Sequence, residues 1–167
     1  AFENFYPIEN YIIPSIKKYF CTGDIVNLKA EKNKKFVLLT PACDLVLHAG
    51  VPKAKDVLLA EIQPLTEGIF AEKVNITKKA LISEEEAKTI KTDIEKLISN
   101  NFSPKYYYLP DVSLAKGGLI NFQKLASVKF ADLQTNYEKK ATITPQFAKD
   151  IVAKFSFYYS RQGSPDF

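Results

Sequence analysis

The chain has 167 residues, 46% apolar and 25% charged, which fits one globular domain with a core of its own and excludes a disordered chain. Its net charge of +4 permits an anionic partner without demanding one. Two cysteines, Cys21 and Cys43, exclude a disulfide framework, and no apolar run approaches the ~20 residues of a membrane helix.

These totals predict a cytoplasmic domain with no membrane contact and no signal peptide. Aromatic residues reach 13%, which leans the composition towards sheet. The chain contains no Met, at its start or elsewhere, and this points to a piece of a longer protein or a processed one.

Residues 1–20 read as a lead-in or tether, interrupted by Pro7 and Pro14, with a helical turn expected over 15–20. Residues 21–167 read as a single domain. Thr22-Gly23-Asp24 signals a turn, and Ile25, Val26 and Leu28 a first strand. Glu31 to Lys35 reads as a polar hairpin connection, and Phe36 to Thr40 as a strand buried on both faces. Pro41 stops that strand, and a further strand is expected over 45–48 after Ala42-Cys43-Asp44. Val57 to Ile62 is the next strand, and a short helix is expected over 67–73.

Ser83 and Glu86 form a capping box, followed by Ala87, Ile90, Ile94 and Leu97 at helical spacing. Asn100-Asn101 closes this helix. Lys105 to Leu109 reads as a strand, 111–118 as a loop, and 119–122 and 125–130 as two paired strands. A last short strand covers 141–144. Thr144 and Pro145 then start a C-terminal helix with an apolar stripe of Phe147, Ile151, Val152, Phe155 and Tyr159, and Gly163 fits its C-cap. The expected fold is α+β: a curled antiparallel sheet or small barrel of six to seven short strands with two main helices, the C-terminal one packed on the sheet.

Candidate chemistry collects in three places. Cys43 and Asp44 follow a buried strand at a turn, where reacting groups often sit. A Cys43–His48 dyad needs a bend, because their odd separation along a strand puts them on opposite faces. The second place is the C-terminus, with Tyr158, Tyr159, Asp166 and Arg161. All but one of the 23 basic residues are Lys, so Arg161 stands out as a grip for a carboxylate or phosphate, or as a helix-end charge. An ion pair between Arg161 and Asp44 would join the two places.

The third place is Lys105-Tyr106-Tyr107-Tyr108. Alternation puts Tyr106 and Tyr108 on one face, where with Lys105 they could stack bases, or else simply fill the core. Lys32, Lys34 and Lys35 would add a basic edge. Metal-ligand spacings are missing, and no cofactor is expected.

Gly23-Asp24-Ile25-Val26 followed by the apolar strand 36–40 resembles the opening of the PemK/MazF-like barrel, which implies RNA binding and cleavage or a binding module. Asn33, Lys34 and Lys35 stand where that family carries an Arg-Pro pair. The GDIV start, the LLTPACDL segment, the GLINF strand and the ending TPQFAKDI with RQGSPD also resemble C-terminal output domains of bacterial receiver-like signalling and conflict-system proteins. That likeness implies a binding or effector-output module that contacts a protein partner, a fused domain or nucleic acid. A nuclease or other hydrolase centred on Cys43, Asp44 and Arg161 is the alternative.

Overall fold

Val57 and Leu59 point to one side of their strand while Ala60 and Ile62 point to the other, and all four are buried. A sheet with apolar residues on both faces needs a cover on each. The computed structural model describes residues 6–77, 82–113 and 115–161. Its elements are β1 (Tyr11–Ile12), β2 (Asp24–Leu28), β3 (Glu31–Leu38), α1 (Ala42–Leu45), β4 (Leu47–His48), β5 (Val51–Pro52), β6 (Asp56–Gln63), α2 (Gly68–Thr77), α3 (Glu84–Ile98), β7 (Tyr106–Leu109), β8 (Gly118–Lys129), α4 (Phe130–Asn136), β9 (Tyr137–Ile143) and α5 (Pro145–Ser160), preceded by a 3₁₀ turn at Pro7–Asn10.

Seven strands form one antiparallel sheet in the order β1-β9-β2-β3-β6-β8-β7, and β4 and β5 make a separate hairpin. One face carries Ile25, Val37, Ala60, Ile62, Tyr107, Ile120, Phe122, Ala141 and Ile143, covered by Ala148 and Ile151 of α5. Ile151 is 1% exposed, a burial that contributes about 1.5–3 kcal/mol. The other face carries Val26, Phe36, Leu38, Val57 and Leu59. Leu45 of α1, Phe130 and Leu133 of α4, and Phe20 of the lead-in pack over it.

Several expectations need correction. The sheet is α+β and antiparallel as predicted, but it is open: its edge strands β1 and β7 lie at opposite ends and do not pair. Register shifts between Ala60 and Glu61 in β6 and between Ile25 and Val26 in β2 mark bulges, which bend strands without closing the sheet. Nine strands and five α-helices are present among the described residues, in place of six or seven strands and two helices. The polar run Glu31–Lys35 belongs to β3, whose exposed first half overhangs the core, and the reversal falls at Lys29-Ala30. The predicted strand over 45–48 is the end of α1 plus the two-residue β4. The two strands expected over 119–130 are one strand, β8, followed by the unforeseen α4. No helical turn forms over 15–20, and Gly163 and Asp166 lie outside the described residues.

Within the lead-in, Tyr11 pairs Ile143 at the sheet edge, and its hydroxyl donates to the Pro110 carbonyl at 2.7 Å. Helix α3 keeps the predicted capping box, with Ser83 and Glu86 exchanging hydrogen bonds. It ends at Asn100, in the left-handed region with φ 60°. Asn101 N donates to Lys96 O and Asn100 N to Leu97 O, a Schellman closure with asparagine in glycine's place.

Candidate functional site

The segment Thr40-Pro41-Ala42-Cys43-Asp44 leaves the buried β3 and turns at once into α1. Cys43 is exposed, with its thiol 3.8 Å from Asp44 Oδ1. Asp44 pairs with Lys53 of the β4–β5 hairpin at 3.5 Å. His48 is exposed in β4, and no hydrogen bond joins it to Cys43 among the described residues. Arg161 follows the last turn of α5 and lies over the Tyr158 ring at 5.9 Å. No ion pair joins Arg161 to Asp44 among the described residues.

In β7 the alternation is the predicted one. Tyr107 is buried, with Lys154 of α5 over its ring at 5.4 Å. Tyr106 and Tyr108 share the opposite, half-buried face. Lys105 sits over the Tyr106 ring at 4.9 Å, whereas Tyr108 stacks on Phe70 of α2 at 6.4 Å. That side of the Tyr108 ring is therefore occupied from within the protein.

Two grooves flank β9. The first, of about 630 Å³, runs between the lead-in, the start of α1 and the N-terminal half of α5. Ile12, Cys21, Ile143, Ala148 and Val152 line its floor and walls, with Pro41 and Ala42 on one side. Lys17 and Lys149 line it too, both exposed, and no carboxylate does among the described residues. Ile16 stands at its edge, 83% exposed. Beyond α1 the chain goes on to expose Val46, Leu47 and Val51.

The second groove, of about 650 Å³, opens on the part of the first sheet face that α5 leaves uncovered. Lys32, Lys35, Lys116 and Lys140 line it, together with Asp111 and Glu67. Lys35 donates to the carbonyls of Lys116 at 2.8 Å and Gly117 at 3.4 Å. Burial pulls its pKa below the usual lysine value, in part against the nearby Asp111 carboxylate.

Beneath the first groove lies a polar network absent from the sequence reading. Asp24 is fully buried. Its Oδ2 accepts from Cys21 N at 2.8 Å and pairs with Lys139 Nζ at 2.8 Å. Its Oδ1 accepts from Thr142 Oγ1 at 2.6 Å and from the Cys21 thiol at 3.3 Å. Lys139 also donates to Lys17 O and Tyr19 O, and its ammonium lies 5.3 Å from the Phe20 ring centre. The network therefore ties residues 17–21 to β2 and β9.

Burial first, and then the Asp24 carboxylate, push the Cys21 thiol up to about 11 from its ordinary value of 9.0. A proton held more tightly by the folded state gives stability that is complete below the unfolded pKa and lost as pH rises through the folded one. Stability should accordingly hold to about pH 9 and fall towards pH 11. Tyr11 and Tyr107, both raised mainly by burial, add to the loss above their ordinary value of 10.0. Thermal melts of the parent and of Cys21→Ser across this range check it: the serine variant should lose less between pH 9 and 10. A parent melting temperature unchanged to pH 11 contradicts it. In the same protein below pH 9, Cys43 should react readily with a maleimide and Cys21 should not.

Among the described residues no group of three or more His, Cys, Asp or Glu side chains is placed to hold a metal ion. No described helix is long and apolar enough to cross a membrane. No protein-family model matches the chain, and no curated protein sequence matches it.

Proposed function

We propose that this chain is a binding or effector-output module of a bacterial multidomain signalling or defence protein, and that it takes an apolar, acidic segment of a partner protein in the first groove. The observation that carries the reading is the groove's lining: mostly apolar, with Thr22 and Thr142 its hydroxyl residues, Lys17 and Lys149 its charged residues, and no carboxylate among the described residues. An apolar surface of this kind, continued by exposed Ile16, is what a protein partner covers. The two exposed ammonium groups, that of Lys17 lying 5.6 Å from the Tyr19 ring centre, select an acidic rim on the partner and repel a basic one. Pro41 and Ala42, from the segment singled out in the sequence, then serve as part of one side of the groove, and the module acts by binding.

The test uses amphipathic helical peptides of about 15 residues that share one apolar face and carry an acidic, neutral or basic polar face. Fluorescence anisotropy should rank the acidic peptide tightest. Val152→Asp should abolish binding by placing a carboxylate in the groove, with little loss of stability at a half-buried position. Lys149→Glu should weaken the acidic peptide by about tenfold. Equal binding of all three peptides, or an unchanged affinity in Val152→Asp, contradicts the reading.

A further inference from the structure

We propose that the second groove binds a nucleoside phosphate, independently of the partner site. It is separate from the first groove, and its lining has the opposite character, with four lysines set around a short apolar floor. Lysine supplies hydrogen-bond donors and charge alone, so a converging set of lysines selects an anion with several acceptors.

How each lysine is held decides whether it is free to act. Lys32 is exposed and makes no ion pair among the described residues. Lys116 pairs with Asp111 at 3.5 Å, with 77% and 48% of the two side chains exposed. Lys140 pairs with Glu138 at 2.6 Å, with 47% and 57% exposed. Pairs so open to water are worth little and yield readily to a multiply charged ligand. Lys35 differs: half-buried, its ammonium is anchored on the Lys116 and Gly117 carbonyls. It fixes the shape of the wall formed by Lys116 and Gly117 while adding its charge to the potential inside a concave site.

The remaining lining sets the rest of the ligand. Glu67 and Asp111 are acceptors, and would repel a bare polyanion but receive hydroxyl or amino groups. Asp111 already accepts from Gly117 N at 2.6 Å, which leaves Glu67 as the open carboxylate at this rim. Pro64 and Leu65, with the edges of the buried Ile25 and Ala141, add apolar side chains to the lining, and about 650 Å³ lies within the range of small-molecule sites. Phosphates for the lysines, sugar hydroxyls for the carboxylate and a base for the apolar floor together describe a nucleotide.

Titration calorimetry of the intact chain against ADP, GDP, adenosine, inorganic pyrophosphate and an oligoadenylate RNA tests this. ADP or GDP should bind, more tightly than pyrophosphate, and adenosine should not. Raising the salt should weaken binding. Lys32→Glu and Lys116→Glu, both at exposed positions, should each lower the affinity by about tenfold or more and leave the melting curve in place. No heat from either nucleotide overturns the proposal, as does unchanged affinity in both variants. Pyrophosphate binding as tightly as ADP removes the base from the assignment and overturns it too. Saturation by the RNA with no response to ADP overturns it in favour of a nucleic acid.

Discussion

Asp24→Ala should lower the unfolding free energy by about 3–5 kcal/mol, the usual cost of removing one partner of a buried ion pair. The carboxylate has no exposure to water and four partners. Without it, the Lys139 ammonium, whose side chain is 12% exposed, keeps two carbonyls and the face of Phe20 but has no counter-charge. The Cys21 amide and the Thr142 hydroxyl lose their acceptor as well, each at a further desolvation cost. Urea titration should show a lower midpoint with an unchanged slope. Adding Lys139→Met should restore part of the loss, because an absent pair costs less than a broken one. A loss below about 1 kcal/mol would show that the network is incidental.

The same substitution reaches the first groove through Cys21 and Thr142, which line it and bond to Asp24. Ser15 Oγ lies 2.7 Å from Thr142 Oγ1, which in turn donates to Asp24. Lys139 holds the Lys17 and Tyr19 carbonyls. Residues 12–22 supply one wall of the first groove, so freeing them should weaken the acidic peptide even at temperatures where Asp24→Ala remains folded. Val152→Asp separates the two effects, since it alters the groove and leaves the network intact.

What the sequence made legible was local. Ser83 and Glu86 announced α3 because a capping box is written within four residues, and Asn100 marked its end for the same reason. The stripe from Phe147 to Phe155 announced α5, and the run from Val57 to Ile62 announced β6. The missed elements carry too few apolar positions to show a period. α1 has four residues, and α4 shows only Phe130 and Leu133 on its buried side. Phe122, Gln123 and Lys124 are the residues skipped where β8 shifts register against β6, and the polar Gln123-Lys124 among them reads as a turn. The lysines of β3 read as a loop because a strand that overhangs the core has no buried face to advertise.

The candidate sites were legible only in pieces. The TPACD segment stood out as a strand stop, and only its Pro41 and Ala42 line the first groove. The other walls come from residues 12–22 and 142–153, which only tertiary structure brings to it. Arg161 stands out as the sole arginine, yet it lies over the ring of Tyr158, three residues before it. Asp24 was read as a turn residue, since GD commonly opens a turn. Its burial depends on Lys139 and Thr142, more than a hundred residues away. Rarity along a chain is thus a poor guide to convergence in space.

Gly117→Ala should be strongly destabilising, because the loop it closes leaves no room for a methyl group. A Cβ there would lie 2.1 Å from the Leu109 carbonyl oxygen and 2.5 Å from the carbonyl carbon and oxygen of Pro110. These are backbone atoms, so no side-chain rotation relieves the clash. The loop must move off the end of β7, and the bond from Gly117 N to Asp111 Oδ1 and the two carbonyl contacts of Lys35 go with it. Overpacking costs about 1–3 kcal/mol where neighbours can yield, and here the loss should reach or pass the top of that range. The moved segment carries the wall that Lys116 and Gly117 form in the second groove, so ADP affinity should fall together with stability. In Lys32→Glu, by contrast, affinity should fall alone. A Gly117→Ala protein that melts within a degree or two of the parent, roughly the shift of a sub-kcal/mol change, would mean that the wall is not held as the Lys35 and Asp111 contacts imply.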